Sequence, residues 1–209
     1  MAGAGRKKQP DTYSYADYRS WGDDYRCELI DGRIYDMNAA PARIHQEITG
    51  DLFGQFWQFL QNRPCRVYAA PFDVRLARPN QRDDQVFTVV QPDITVVCDE
   101  DKLDDFGCIG APDLIVEVIS PSTASKDNVY KRAVYERTGV REFWLVNPGE
   151  RWVRVCHLAE NGLFGPEAVY DDTGKVQVGI FPELTIDLAK IFPPLPPENA
   201  VRTPPPPAY

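Results

Sequence analysis

Two carboxylate residues, Asp93 and Glu117, lie in apolar segments where ionisable side chains are costly. Asp93 opens the segment QPDITVV, and Glu117 is the one ionisable residue inside LIVEVIS. A buried carboxylate without a partner would cost several kcal/mol, so each needs a metal ion, a basic residue or a hydrogen-bond network. A second carboxylate nearby favours Mg²⁺ or Mn²⁺, since hard cations prefer oxygen ligands. Spacing alone leaves the three alternatives open.

A candidate basic partner, Lys131, follows on the next predicted helix. Asp127, Lys131 and Tyr135 recur every four residues and therefore share one helix face. The Asp127 and Lys131 pair has the spacing of an ordinary surface salt bridge. If this face turns toward the strand that carries Glu117, the Lys131 ammonium group would instead stabilise charge on a reacting phosphoryl group. The sequence permits either role.

The elements that must position these residues begin with a hairpin and a helix. Residues 25–37 form two short alternating segments around Asp31-Gly32, a dipeptide that predicts a two-residue turn between strands. Between residues 41 and 62 apolar side chains recur every three or four positions, which predicts an amphipathic helix with Pro41 near its start.

The order of the later elements predicts the fold class. Strands are expected at residues 66–76, 86–98, 113–119 and 142–147, with a helix before the last one, from Ser122 or Thr123 to a stop at Gly139. Further antiparallel strands are expected at 152–158, 168–170 and 176–178, before a short terminal helix. We therefore predict an α/β fold with a mixed sheet, an N-terminal β-hairpin and extra C-terminal antiparallel strands.

Length and composition predict one folded domain. The chain has 209 residues, 43% of them hydrophobic and 26% charged, which is typical of a globular protein with a large core. We expect a flexible N-terminus at 1–12, a single domain at 13–192 and a flexible proline-rich tail at 193–209. No apolar run approaches the length of a membrane span, and no signal peptide is recognisable, so we expect a cytoplasmic protein without membrane contact.

Cysteine usage and net charge limit the remaining functions. The five cysteines are widely spaced and include no CxxC pair, which argues against a zinc ribbon or a disulfide framework. Cys98 and Cys156 fall in apolar runs and are interpreted as small buried hydrophobes. The net charge of −8 counts against general nucleic-acid binding, although bound cations would restore positive charge at a site rich in carboxylates.

Four segments together resemble a known nuclease family. In chain order they read YRCELIDGRIYDM, QPDITVV, GAPDLIVEVISPST and KRAVYERTGVREFWLVNP. This pattern resembles the Uma2 family of restriction-endonuclease-like proteins, formerly a domain of unknown function, in the PD-(D/E)xK nuclease superfamily. The likeness extends over about residues 13–192, and it implies a restriction-endonuclease-like core of order αβββαβ.

The resemblance also assigns residues to a site. Asp93 and Glu117 match the two acids that bind the metal, whereas the usual lysine position, two residues after the second acid, is occupied by Ile119. Lys131 matches the lysine that related families carry on the following helix, and Lys126 is a poorer candidate. Glu28, in the hairpin, matches a further acid at the edge of such sites.

The implied activity is a Mg²⁺- or Mn²⁺-dependent endonuclease that hydrolyses phosphodiester bonds in DNA. Asp93 and Glu117 would hold the metal, and Lys131 would position or stabilise the reacting group. His45, on the first helix, is a possible supporting residue, although a lone helical histidine is more often structural. A homodimer is possible, since related enzymes often cut two strands as dimers. The alternative is a catalytically inactive nuclease-fold scaffold that binds protein or nucleic acid.

Overall fold

The computed structural model describes residues 12–22, 25–37, 40–120 and 126–194, with the backbone alone at 126–128. The proposed caps Ser122 and Thr123, most of the predicted N-terminal segment and nearly all of the predicted tail lie outside these residues. The predicted domain boundaries therefore stay predictions. None of the described helices is long and apolar enough to cross a membrane.

Short strands outnumber helices along the described chain. The α-helices are α1 Tyr15–Ser20, α2 Arg43–Leu60 and α3 Arg132–Thr138, and a π-helical turn, Lys126–Lys131, leads into α3. Single 3₁₀ turns lie at Asp83–Gln85, Glu100–Lys102 and Leu188–Lys190. The strands are β1 Cys27–Ile30, β2 Arg33–Asp36, β3 Arg66–Ala69, β4 Val74–Arg75, β5 Val89–Val90, β6 Ile94–Val97, β7 Leu103–Asp104, β8 Gly107–Ile109, β9 Leu114–Val118, β10 Glu142–Asn147, β11 Trp152–His157, β12 Ala168–Asp171, β13 Lys175–Gln177 and β14 Thr185–Asp187.

The strands form two six-stranded sheets and one small pair. The central sheet has the order β12-β11-β10-β9-β6-β3. Within this sheet, as far as the structure describes it, β9 and β10 are parallel and the other neighbouring strands are antiparallel. The N-terminal sheet has the order β2-β1-β5-β4-β8-β7, and β13 pairs with β14. The elements α2, β3, β6, β9, α3 and β10 follow in the order αβββαβ around the central sheet. The predicted fold class is therefore confirmed, with two mixed sheets where one was expected.

Two predicted strands are each divided between the two sheets. The segment predicted at 66–76 leaves the central sheet after Ala69 and enters the N-terminal sheet at Val74, past a cis Ala70-Pro71 bond. The segment predicted at 86–98 divides in the same way around Pro92, which has no N–H group to give to a ladder. A continuous apolar run does not reveal which sheet it joins, so the sequence predicted one strand in each case. The second crossing places Asp93 at the junction of the sheets.

The hairpin is confirmed at the predicted turn. Asp31 and Gly32 have φ angles of 52° and 76°, as a two-residue turn between right-twisted strands requires. Gly32 is also required by space, because a Cβ atom there would lie 2.3 Å from Thr12 Cγ2. The turn fixes the register that sets Glu28 opposite Tyr35 on the paired strand.

The central sheet is covered on both faces. Helix α2 buries Ile48, Leu52 and Phe56 against one face, and each such side chain stabilises the fold by about 1.5–3 kcal/mol. The opposite face packs against α3 and the N-terminal sheet, in a cluster that includes Ile115 and Val134. Side chains alternate between faces along a strand, so Glu117 shares the face of Ile115 and points toward α3.

The ends of the helices and the C-terminal part agree with the sequence in outline. Gly139, with φ of 92°, ends α3 in the left-handed conformation as predicted. The predicted terminal helix is a single 3₁₀ turn, Leu188–Lys190, and the strands β7, β8 and β14 and the helix α1 were not predicted. These missed elements are two to six residues long, too short to show a clear hydrophobic period.

One interpretation of the cysteines was wrong. Cys98 forms a disulfide with Cys65 across the end of the β3–β6 pair, one step beyond the partners Arg66 and Val97. The 33-residue separation in sequence concealed a direct cross-strand neighbour. Cys156 is buried and free, as expected of a small hydrophobe.

Candidate active site

A buried lysine joins two elements of the fold through two glutamates. Lys131 Nζ lies 2.7 Å from Glu28 Oε1 and 2.8 Å from Glu117 Oε1. The three side chains are at most 5% exposed. An unpaired charge at this depth would be strongly destabilising, so the ammonium group and the carboxylates require one another. The Lys131 face of its helix therefore meets the sheet, which the sequence had left undecided.

Local structure explains how these side chains meet. Glu117 lies in β9, between β6 and β10 at the middle of the central sheet, and faces α3. Glu28 extends from β1 of the N-terminal sheet, which packs on the same side. Lys131 ends the π-helical turn, whose wider winding is a frequent feature of functional sites. Strands from two different sheets thus each bring a glutamate to the ammonium group of Lys131.

Tyr135 is a second hydrogen-bond donor to Glu117, beside Lys131. One helical turn after Lys131, its hydroxyl group donates a 2.5 Å hydrogen bond to Glu117 Oε1. Burial, followed by the negative charge of Glu117, raises the pKa of Tyr135 well above its ordinary value. The phenol therefore stays protonated at neutral pH and acts as a donor, so Glu117 Oε1 is held by both a charged and a neutral group.

Asp93 lies beside Glu117 across the β6–β9 pair. The antiparallel register pairs Ile94 with Val116, and one further step sets Asp93 opposite Glu117. The amide of Val118 donates to Asp93 Oδ2 at 2.7 Å, which fixes the carboxylate at the strand edge. The Asp93 side chain is 19% exposed, more than that of Glu117. Of the two acids, Asp93 is thus the one more open to solvent.

His45 approaches this pair of acids from the opposite layer. Its Nε2 lies 3.3 Å from Asp93 Oδ2, and its side chain is 11% exposed. The residue occupies the first turn of α2. His45 is therefore placed to orient Asp93.

A chain of hydrogen bonds continues from Glu28 away from the lysine. The backbone amide of Gln91 donates to Glu28 Oε1 at 2.9 Å, and its side-chain amide donates to Asp73 Oδ1 at 2.8 Å. Tyr18 donates to the same Asp73 oxygen at 3.1 Å, and burial raises the pKa of the Asp73 carboxyl group. These contacts tie Glu28 to the loop between the two sheets.

The carboxylates around Lys131 have the charge and chemistry that suit a hard divalent cation. The carboxylates of Glu28, Asp93 and Glu117, with Lys131, carry a formal excess of two negative charges, which one divalent ion would balance. Among the residues that the structure describes, no three His, Cys, Asp or Glu side chains converge as a closed metal cage requires. Two neighbouring carboxylates suit Mg²⁺, which takes water and substrate phosphate for its other ligands.

The structure brings together all five site residues that the sequence singled out. Lys131 contacts Glu28 and Glu117, and His45 contacts Asp93. The backbone amide of Val118, next to Glu117 in β9, joins the two groups through its hydrogen bond to Asp93. Their roles in catalysis and metal binding stay predictions. The side chains of the poorer candidate Lys126 and of the alternative salt-bridge partner Asp127 lie outside what the structure describes.

Sequence reasoning missed Tyr135 and Gln91 as parts of the site. Tyr135 carried a signal, because its spacing from Lys131 places the two side chains on one helix face. Gln91 acts toward Glu28 through its backbone amide, which any residue except proline supplies. No sequence signal could have revealed that contact.

Comparisons with known proteins support a nuclease fold. The family model Uma2, described as "Putative restriction endonuclease", matches residues 15–189. An uncharacterized protein of Synechocystis is 26% identical over 149 residues, which cover 70% of this chain and 74% of that protein.

A solved structure gives the same result for the fold. The crystal structure of a protein from Anabaena variabilis, titled as a putative nuclease belonging to DUF820, aligns with a TM-score of 0.68 at 18% identity. The alignment covers 86% of this chain and 97% of that one. At this identity the match establishes a common fold.

Proposed function

Because the chain belongs to the Uma2 family, we propose that it is a divalent-metal-dependent endonuclease that hydrolyses phosphodiester bonds in DNA. The observation that carries the proposal is the position of Lys131, buried between Glu28 and Glu117 with Asp93 beside them. Two acids on neighbouring strands with a lysine beside them are the groups that phosphodiester hydrolysis needs.

Asp93 and Glu117 are the residues that would hold Mg²⁺ or Mn²⁺. When bound, such an ion polarises the phosphodiester and lowers the pKa of water. Asp93 reaches solvent and keeps one oxygen fixed by the Val118 amide, so it can present the other oxygen to a cation.

The other residues position these acids. The Lys131 ammonium group and the Tyr135 hydroxyl group both hold Glu117 Oε1, so the second oxygen of Glu117 has a defined direction. His45 orients Asp93, and Glu28 keeps the lysine in place beside Glu117. A phosphate group that reaches the acids would also lie near the ammonium group, which would stabilise its developing negative charge.

A cleavage assay tests the proposal. Purified protein is incubated with plasmid DNA, single-stranded DNA and RNA in Mg²⁺, in Mn²⁺ or in EDTA. We expect DNA cleavage with either metal, none in EDTA, and loss of cleavage in Lys131→Ala. The exposed surface variant Lys175→Ala serves as the matched control. Metal-independent cleavage, or full activity in Lys131→Ala, would contradict the mechanism.

A second candidate function is a scaffold without catalysis. It is favoured by the same lysine, since Lys131 Nζ lies between two carboxylates and only 3% of its side chain is exposed. A buried ion pair of this kind can serve specificity of folding alone. Under that reading DNA or a protein partner would bind, but no substrate would be cut in any metal, which the same assay distinguishes.

A homodimer and a cytoplasmic location stay predictions. The dimer would present two sites to the two strands of a duplex. Sedimentation of the protein with and without duplex DNA would show whether two copies assemble.

A further inference from the structure

Beside the Lys131 cluster lies an exposed aromatic pair. Tyr130 immediately precedes Lys131, and its ring centroid lies 6.4 Å from that of Tyr35 in β2, with an angle of 44° between the rings. Tyr130 is 53% exposed and the preceding Val129 is 60% exposed, whereas Lys131 is 2% exposed. Three successive residues thus pass from solvent to the interior.

The register of the hairpin ties this pair to the acids. Glu28 and Tyr35 are direct partners across β1 and β2, so their side chains leave the hairpin on the same face. Glu28 meets Lys131 while Tyr35 meets Tyr130. The β1–β2 hairpin and the π-helical turn therefore make both contacts. The exposed Tyr130 thus lies next to the buried ion pair.

A basic residue flanks the tyrosines. Arg33 lies two residues before Tyr35 on β2, so it shares that strand face, and it is exposed. No ion pair joins Arg33 to any residue in the part of the chain that the structure describes. A guanidinium group beside an exposed ring suits a ligand that has both a flat apolar surface and a negative charge.

We propose that Tyr130, supported by Tyr35, is a stacking subsite for a nucleobase of a single-stranded or locally unpaired DNA strand, with Arg33 near an adjoining phosphate. The inference rests on the proposed function and specifies its substrate. An aromatic ring stacks on any nucleobase, but a base in an intact duplex already has its faces covered. The subsite therefore favours unpaired DNA and reads little sequence.

Binding to DNA with and without bases tests the subsite. The probes are a short single-stranded oligothymidylate and an abasic oligonucleotide of equal length and charge, both in EDTA so that neither is cut. We expect the wild type to bind the oligothymidylate roughly 10-fold more tightly than the abasic strand. Tyr130→Ala should remove this preference, whereas Tyr130→Phe should keep it because stacking uses the ring.

The matched control is Trp57→Ala, which removes a 52% exposed aromatic residue from α2 on the other layer. It should leave the preference for bases unchanged. Thermal unfolding should be the same for Tyr130→Ala and the wild type, since the Tyr130 ring is largely in solvent. If Tyr130→Ala preferred the oligothymidylate over the abasic strand as strongly as the wild type does, the proposed subsite would be wrong. Loss of this preference in Trp57→Ala would also contradict the subsite.

The two proposals can fail separately. If the wild type cleaves DNA but Tyr130→Ala binds both probes as the wild type does, the subsite is wrong and the nuclease stands. If Tyr130 carries a preference for bases but no metal supports cleavage, the catalytic proposal is wrong and the subsite stands.

Discussion

Two buried glutamates in neighbouring strands of the central sheet have opposite surroundings. Glu117 in β9 faces α3 and is held by Lys131 and Tyr135. Glu142 in β10 is fully buried and accepts hydrogen bonds from Trp144 Nε1 at 2.7 Å and from the Ile180 amide at 2.9 Å.

The difference lies in charge and in access. The hydrogen bonds to Glu142 come from two neutral donors, and the bond from the Ile180 amide joins β10 to the segment before β14. The half-exposed His157 has its Nδ1 4.0 Å from Glu142 Oε2, and no lysine or arginine is the partner of this carboxylate among the ion pairs of the described residues. Glu117 has a cationic partner and, opposite it in register, a second carboxylate that reaches solvent. A carboxylate satisfied by neutral donors in the interior links parts of the fold. One that shares a lysine beside another acid has the surroundings that the proposed metal and phosphate site requires.

The largest expected effect separates the two glutamates by activity. Glu117→Gln and Asp93→Asn should each lower the rate of DNA cleavage by roughly 10³-fold, because each removes a metal-binding charge. Glu142→Gln should cleave at nearly the wild-type rate. Initial rates under saturating Mg²⁺ measure the effect, and equal losses in Glu117→Gln and Glu142→Gln would remove the functional distinction.

A second prediction concerns the stability that Lys131 provides. Lys131→Ala leaves Glu28 and Glu117 buried without their cation, so the free energy of unfolding should fall by about 3–5 kcal/mol. Mn²⁺ should restore part of this loss, since a cation near the acids replaces the ammonium charge. Urea unfolding with and without Mn²⁺ measures both changes. Unaltered stability without metal would show that the buried pair is not as described.

Removal of the Tyr135 hydroxyl group should have a smaller effect. Tyr135→Phe deletes one hydrogen bond to a charged oxygen and keeps the ring, so the free energy of unfolding should fall by about 2 kcal/mol. Tyr130→Phe is the matched control, because its hydroxyl group belongs to an exposed side chain. Chemical denaturation of both variants would test this, and equal changes would argue against the bond to Glu117.

For Glu142 we expect a moderate structural cost. In Glu142→Gln the amide oxygen can still accept from one of the two donors, Trp144 Nε1 or the Ile180 amide, but the amide nitrogen cannot accept from the other. The loss of a buried charge offsets part of this penalty. The net decrease in the free energy of unfolding should be about 1 kcal/mol, without any response to Mn²⁺. Stabilisation of this variant by metal to the extent seen for Lys131→Ala would contradict the comparison.

The smallest expected effect is the pH dependence of Asp73. Burial raises the folded-state pKa of Asp73, so its contribution to stability is complete below the unfolded-state pKa and is lost as pH rises through the folded-state value. Asp73→Asn does not titrate. The stability of the wild type relative to this variant should therefore decrease as the pH rises above about 4, the ordinary pKa of an aspartate. Urea unfolding across this range measures it, and an increase would reverse the sign.

The fold could be predicted from local sequence patterns where a continuous segment forms a single helix, or a strand that belongs to one sheet only. The Asp31-Gly32 turn, the helix α2 and the strand β10 are where the sequence placed them. The divided strands around Pro71 and Pro92 could not be predicted, because hydrophobic alternation shows burial and does not show which sheet provides it.

The sequence identified the residues of the candidate site, but it did not show which of them are in contact. The acids were visible because a charge inside an apolar run demands a partner, and Lys131 was assigned mainly through the family resemblance. The sequence could not show that Glu28 and Glu117 share Lys131, since they are distant in the chain and lie in different sheets.

Metal binding tests the central claim most directly. Mn²⁺ is titrated into the wild type, Asp93→Asn, Glu117→Gln and Glu142→Gln in a calorimeter, without DNA. We predict binding to the wild type and to Glu142→Gln, and loss of binding in Asp93→Asn and Glu117→Gln. No binding to the wild type, or unchanged binding in Asp93→Asn and Glu117→Gln, would contradict a metal site at these two acids.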